Sequence, residues 1–239
     1  MNFCGSIWQS PNKAGGCATI IFLLALYLPI QAAPQSLADQ ALIAQIDGAV
    51  EHRESGLSGY TVEEHYTITN SHFNDPATAV VKVTYKKDSG KQYEVVSRTG
   101  PSLLASKLLD SMLAEEQKLS VNPDRGLSVI SSTNYGMVPA GEEQVGDRPC
   151  EVIAITPKQK SPYVLSGRIW VDARSKILVR IEGTAPQSPS FFAGKPNVVR
   201  DYGEMAGFGL ALHSHAVSSG MLVGKTVVDI EYVHYQIDP

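Results

Sequence analysis

The chain has 239 residues, of which 43% are hydrophobic and 18% charged, with a formal net charge of −4. That balance is globular and excludes a disordered chain. No block of Lys or Arg is present to follow a phosphate backbone, which excludes nucleic acid as a partner.

Residues 1–32 read as a secretory signal peptide. Lys13 is the only charge before an apolar run from Ala18 to Ile30, and Gln31, Ala32 and Ala33 supply small residues for cleavage after Ala32. The run is shorter than the roughly 20 apolar residues a bilayer span needs. The expectation is a periplasmic protein whose single domain covers 33–239, about 207 residues with a net charge of about −5. Cys4 and Cys17 leave with the signal, and Cys17 precedes the apolar run, where a lipid-attachment cysteine would follow it. Cys150 remains alone, so no internal disulfide is available, and it reads as a small apolar filler at a strand start.

The first helix starts at Ser36, with Asp39 three residues on as a capping-box partner. Leu42, Ile46, Ala49 and Val50 recur at helical spacing, and the helix is expected to reach about Arg53 and end before Gly56. Strand alternation follows. Tyr60, Val62, Tyr66 and Ile68 share a face against Thr61, Glu63, His65 and Thr67; Ala79, Val81, Val83 and Tyr85 repeat the pattern; Gly90 turns a hairpin into Tyr93 and Val95. A second helix begins after Pro101-Ser102, with Leu104, Leu108, Leu109, Met112 and Leu113 on one face and Lys107, Asp110, Glu115 and Lys118 on the other.

Downstream, Ile169 and Val171 alternate with Arg168 and Asp172, and Ile177, Val179 and Ile181 with Arg180 and Glu182. Phe208, Leu210 and Leu212 form one series, and Val228, Ile230 and Tyr232 another. Period-2 patterning of this kind indicates an antiparallel sheet wetted on one side. About ten such strands must curl rather than lie flat. Two helices cannot fill the concave side, so the pattern predicts an α+β fold: a strongly curved, unclosed half-barrel with two helices in the concave face and an apolar cavity beside them. Charged faces such as Lys82-Thr84-Lys86 and Arg180-Glu182 exclude a membrane-embedded barrel. The loop Gly183–Pro196 carries Phe191 and Phe192, which serve either as a lid over the cavity or, as burial of large aromatics favours, as an anchor in the core.

Signs of chemistry are sparse. His213-x-His215 places two imidazoles on one strand face, but no third ligand is in sequence range, and a solvated or hydrogen-bonded pair is the simpler reading. Asp201 and Glu204 fall on opposite faces of a strand. Nucleophile-elbow and phosphate-loop motifs are lacking, so no enzyme, metal or cofactor is expected.

From Tyr135-Gly136 through Gly141-Glu142-Glu143 and Val145-Gly146-Asp147-Arg148-Pro149-Cys150, then Gly167-Arg168-Ile169-Trp170-Val171-Asp172, Arg200-Asp201-Tyr202 and Ile230-x-Tyr232-x-x-Tyr235, the chain resembles the outer-membrane lipoprotein-sorting protein family. This is the superfamily of the LolA/LolB carriers and the RseB/MucB regulators. The resemblance covers about Leu37 to Ile237 and implies an unclosed barrel enclosing a cavity for acyl chains. It also implies a functional arginine, for which Arg98, Arg168 and Arg180 are loose candidates.

The resulting expectation is a monomeric periplasmic carrier that shelters the acyl chains of lipids or lipoproteins and meets inner- or outer-membrane transport components. A lipid- or protein-binding sensor of the RseB kind is the alternative, and a secreted hydrolase a third. The expected lining is Tyr60, Val62, Tyr66, Val81, Val83, Tyr85, Ile169, Val171, Val179 and Ile181 from the sheet, faced by Leu104, Leu108 and Met112 from the second helix. Each is equally a position for an ordinary filled core.

Overall fold

The computed structural model describes residues 36–121, 125–188, 194–220 and 224–238. The expected signal peptide and the Phe191-Phe192 pair lie outside these residues. Helix α1 (Leu37–Gly56) opens on a reciprocal cap: the Ser36 hydroxyl accepts the Asp39 amide at 3.1 Å, and the Asp39 carboxylate accepts the Ser36 amide at 3.1 Å. It runs slightly past its expected end. Strands β1 (Gly59–Asn70), β2 (Ala77–Lys86) and β3 (Gly90–Thr99) follow as a meander.

The second helix does not begin as a regular α-helix. Leu103–Leu108 form a π-helical turn that continues into α2 (Leu109–Val121), and a short α3 (Arg125–Ser128) comes after it. Arg98 Nη1 donates to the Ala105 carbonyl of the wide turn and to Asp110, at 3.2 and 3.0 Å. This ties the turn to the sheet edge. Seven strands complete the fold: β4 (Tyr135–Val145), β5 (Arg148–Pro157), β6 (Ser166–Asp172), β7 (Leu178–Thr184), β8 (Asn197–Met205), β9 (Phe208–Gly220) and β10 (Gly224–Asp238). Among the described residues, no helix is long and apolar enough to cross a membrane.

All ten strands form one antiparallel sheet in the order β3-β2-β1-β10-β9-β8-β7-β6-β5-β4. It is not closed. Its free edges are β3 and β4, which are consecutive strands along the chain, with the helical segments 103–121 and 125–128 between them in sequence. Register slips at Thr61/Glu63, Val80/Val81, Pro139/Gly141, Trp170/Val171 and Asp201/Tyr202 add local twist and bend. The result is the α+β unclosed half-barrel that the alternation predicts.

The concave side is covered in two separate halves. The π-turn and α2 place Leu104, Ala105, Leu109, Met112 and Leu113 against Val62, Tyr66, Ile68, Val81 and Val83 of β1 and β2. Helix α1 places Ile46 against Tyr135, Met137, Ile153, Ile155, Ile169, Val171 and Ile181 of β4–β7. Over the centre of the sheet the cover is partial. Val228 and Ile230 of β10 join the α2 cluster. The end of α1 reaches the start of β9, where His52 stacks on Phe208 at 5.6 Å and Arg53 Nε donates to the Gly209 carbonyl at 3.2 Å.

Two bulges change faces that alternation alone assigns wrongly. Val171 pairs with Leu178 and Trp170 with Arg180, so Val179 is the extra residue of β7. It turns to the convex side and joins Cys150, Val152 and Trp170 in a small outer cluster, while Leu178 takes the inward place. Leu212 is likewise the extra residue between Ala211 and His213 opposite β8 and is 40% exposed, unlike Phe208 and Leu210. Cys150 is buried in the outer cluster, and burial pushes its thiol pKa up.

Candidate functional site

Between the two covered halves lies a cavity of about 480 Å³, within the usual range for small-molecule sites. Its floor is the inner face of β8–β10, with Val198, Leu210, Ala216, Val228 and Ile230. Ala49 and Val50 of α1 form one wall, Met112 and Leu119 of α2 the other. Tyrosines concentrate here: Tyr60, Tyr66, Tyr85, Tyr93, Tyr202, Tyr232 and Tyr235 all reach the lining. The Tyr60 ring lies tilted at 5.1 Å from Tyr85 and edge-on at 5.6 Å from Tyr235, while the Tyr235 hydroxyl donates to the Ala211 carbonyl at 2.9 Å. Rigid amphipathic rings of this kind give an apolar wall that still accepts a polar group.

The lining also holds charge. Glu64 lies on the inner face of β1, 3% exposed, and accepts a hydrogen bond from the Tyr66 hydroxyl at 2.5 Å. Burial raises its pKa, against the opposing pull of Lys91 and Tyr66. Lys91 of β3 lies 3.2 Å from Glu116 of α2. Lys91 holds the Glu116 carboxyl below its usual range, and although burial opposes the charge on Lys91, Glu116 and the surrounding tyrosines keep its pKa well above normal. Both keep side-chain surface free, 24% and 42%, but both line the cavity, so their setting is confined rather than bulk solvent. Arg200 of β8 donates through Nε to Ser214 at 3.3 Å, with Tyr202 and Tyr232 beside it; Tyr232, then Tyr202 and Glu116, hold it firmly charged.

Five of the thirteen expected lining residues border this cavity: Tyr60, Tyr66, Tyr85, Met112 and Ile181. Val62, Val81 and Val83 are sealed beneath the π-turn and α2, Leu104 is buried against them from the π-turn, and Leu108 packs against the same cluster. Ile169 and Val171 are sealed beneath α1, and Val179 points outward. Arg98, Arg168 and Arg180 do not line it either. Arg168 reaches Glu143 at 3.8 Å and lies 5.0 Å above the Trp170 ring, and Arg180 pairs with Asp201 at 2.5 Å.

Glu64, Lys91 and Arg200 were missed in sequence reading, yet each carries a signal. Glu64 falls between Val62 and Tyr66 on the apolar face, Lys91 shares a face with Tyr93 and Val95, and Arg200 shares one with Val198 and Tyr202. A charge that breaks the apolar register of a strand is the signal that finds them.

On the convex side, His215 Nδ1 lies 2.6 Å from Asp229 and His213 Nε2 3.6 Å from the same carboxylate oxygen. The two imidazoles thus share one acid, in partly exposed positions. Among the described residues no group of three or more His, Cys, Asp or Glu is arranged to hold a metal.

Residues 81–187 match the family model of the MucB/RseB N-terminal domain, which bears out the family resemblance read from the sequence. No curated protein matches the chain. Among solved structures, a LolA superfamily protein from Nitrosomonas europaea is similar at 9% identity, covering 84% of this chain and 94% of that one, with a TM-score of 0.46. An outer membrane lipoprotein-sorting protein domain from Vibrio parahaemolyticus aligns at 10% identity over 81% and 91%, with a TM-score of 0.48. The MucA/MucB complex of Pseudomonas aeruginosa aligns at 11% identity over 81% and 99%, with a TM-score of 0.28.

Proposed function

We propose that this chain is an exported, non-catalytic binding protein of the periplasm that shelters the acyl chain of a lipid or lipoprotein in its half-barrel. The observation that carries the reading is the cavity of about 480 Å³ left over β8–β10, between α1 and α2 and walled by aliphatic side chains and tyrosine rings. Each methylene moved from water into such a site contributes about 0.8 kcal/mol, so a partly enclosed chain binds without any bond being made. Export rests on the leader of residues 1–32, with its apolar run and small-residue exit. The carrier form adds transfer toward the outer membrane.

A sensor form, in which lipid occupancy is reported to a protein partner, is favoured by the match of residues 81–187 to the MucB/RseB N-terminal domain. Native mass spectrometry of protein purified from a bacterial periplasm tests the common core. Co-purified lipid supports it; persistent absence of lipid together with turnover of ester substrates overturns it in favour of a hydrolase. A pull-down that recovers an inner-membrane regulator rather than lipoproteins selects the sensor form.

A further inference from the structure

The cations that line the cavity are Arg53, Lys91, Lys176 and Arg200. Three are neutralised on the spot: Arg53 by Glu54 at 2.6 Å, Lys91 by Glu116 at 3.2 Å, and Lys176 by Glu151 at 3.3 Å. Arg200 is different. Among the described residues no carboxylate lies within 4.0 Å of it, and its Nε is used by the neutral Ser214 hydroxyl.

Its position is central. Arg200 pairs in register with Ile181 of β7 and Ser214 of β9; Ser214 pairs with Ile230, and Ile230 with Tyr66. The guanidinium therefore rises from the middle strands of the cavity floor. Glu64, two residues from Tyr66 on β1, is committed to the Tyr66 hydroxyl. Glu116 and Glu64 act on this guanidinium only from beyond contact distance. A charge in a confined, largely apolar space with no contacting counter-ion is costly unless an anion arrives with the ligand.

We propose that the cavity takes a single-chain amphiphile bearing a carboxylate, seated head-inward on Arg200, with its hydrocarbon along the aliphatic walls. The inference rests on the acyl-shelter reading and adds to it the head group and the orientation. Two features favour a carboxylate. The planar guanidinium fork matches its two oxygens. One cation without a contacting carboxylate also matches one negative charge, whereas a dianionic phosphate would leave charge over beside Glu116. The Tyr202 and Tyr232 hydroxyls flanking Arg200 supply further polar contact at the head group.

Displacement of the neutral dye Nile red from the purified protein, at pH 8 and below micellar concentrations, compares dodecanoate with dodecanol. A purely apolar pocket prefers the alcohol, because the carboxylate must be desolvated. The expected result is at least tenfold tighter binding of dodecanoate, about 1.4 kcal/mol. Arg200→Met should reduce that preference below twofold. Independently of any variant, the carboxyl carbon of bound ¹³C-dodecanoate should titrate at lower pH than the free acid. Dodecanoate binding no tighter than dodecanol, a preference that survives Arg200→Met, or a bound carboxyl titrating higher than the free acid would each overturn the proposal. Failure of Nile red and both ligands to bind at all would instead sink the acyl-shelter reading.

Discussion

Lys91 Nζ and Glu116 Oε2 stand 3.2 Å apart, joining edge strand β3 to helix α2 across the cavity wall. The pair is one of few polar ties between α2 and the sheet, together with the Ser120 hydroxyl accepting from the Lys91 amide at 2.8 Å. Lys91→Met removes the cation and leaves Glu116 confined without its partner. Because Glu116 keeps 42% of its side-chain surface free, the loss is well below that of a dry ion pair, about 1–2 kcal/mol. Lys91 holds the folded-state Glu116 pKa below its unfolded value, so this stabilisation is present above the unfolded value and fades as pH falls through the folded one. Urea titrations should therefore show a gap between the two proteins at pH 7 that narrows under acid conditions.

Glu64 has the opposite sign. Burial raises its folded pKa above the unfolded value, so the folded state binds the proton more tightly and loses stability as pH rises from the unfolded value through the folded one. Glu64→Gln keeps an acceptor for the Tyr66 hydroxyl and removes the ionisation. The variant should melt higher than the unsubstituted protein at pH 8 and converge with it at acid pH. A melting point lower at every pH would show that the carboxylate itself is needed.

Alternation along the strands made the half-barrel legible, because a sheet wetted on one side repeats every two residues whatever it encloses. The lining was less legible. Val62, Val81 and Val83 share a face with Tyr60, Tyr66 and Tyr85, and only the seat of α2 decides which of them is sealed and which meets the cavity. That seat is a tertiary fact set by the π-turn and by Arg98, neither of which period-2 patterning contains. Val179 was misassigned for a local reason, since one inserted residue reverses every face assignment until the register is recovered.

The same distinction separates two substitutions of like chemistry. Val83 is fully buried beneath α2, so Val83→Trp overpacks a filled core and should lower stability by about 1–3 kcal/mol. Ala216, on the floor in β9, borders the open space, so Ala216→Trp should fill it with little effect on folding. Nile red uptake and thermal melts of the two variants check this. Ala216→Trp should lose uptake at near-normal melting temperature, while Val83→Trp should melt early.

The close approach of β6 to β7 is testable at Gly167. This glycine faces Gly183 of β7, and a Cβ added to Gly167 would lie 2.0 Å from the Glu182 carbonyl oxygen and 2.6 Å from the Gly183 Cα. Both obstacles are backbone, so neither can rotate away, and relief requires the two strands to separate at this close approach. Gly167→Ala should therefore destabilise by about 2–3 kcal/mol, the upper part of the common range for single substitutions. Gly136→Ala in β4 is the control: its nearest neighbour would be the Thr156 carbonyl oxygen at 3.7 Å, an ordinary contact. Equal melting temperatures for the two variants would mean that the β6–β7 backbones approach less closely at Gly167 than these contacts require.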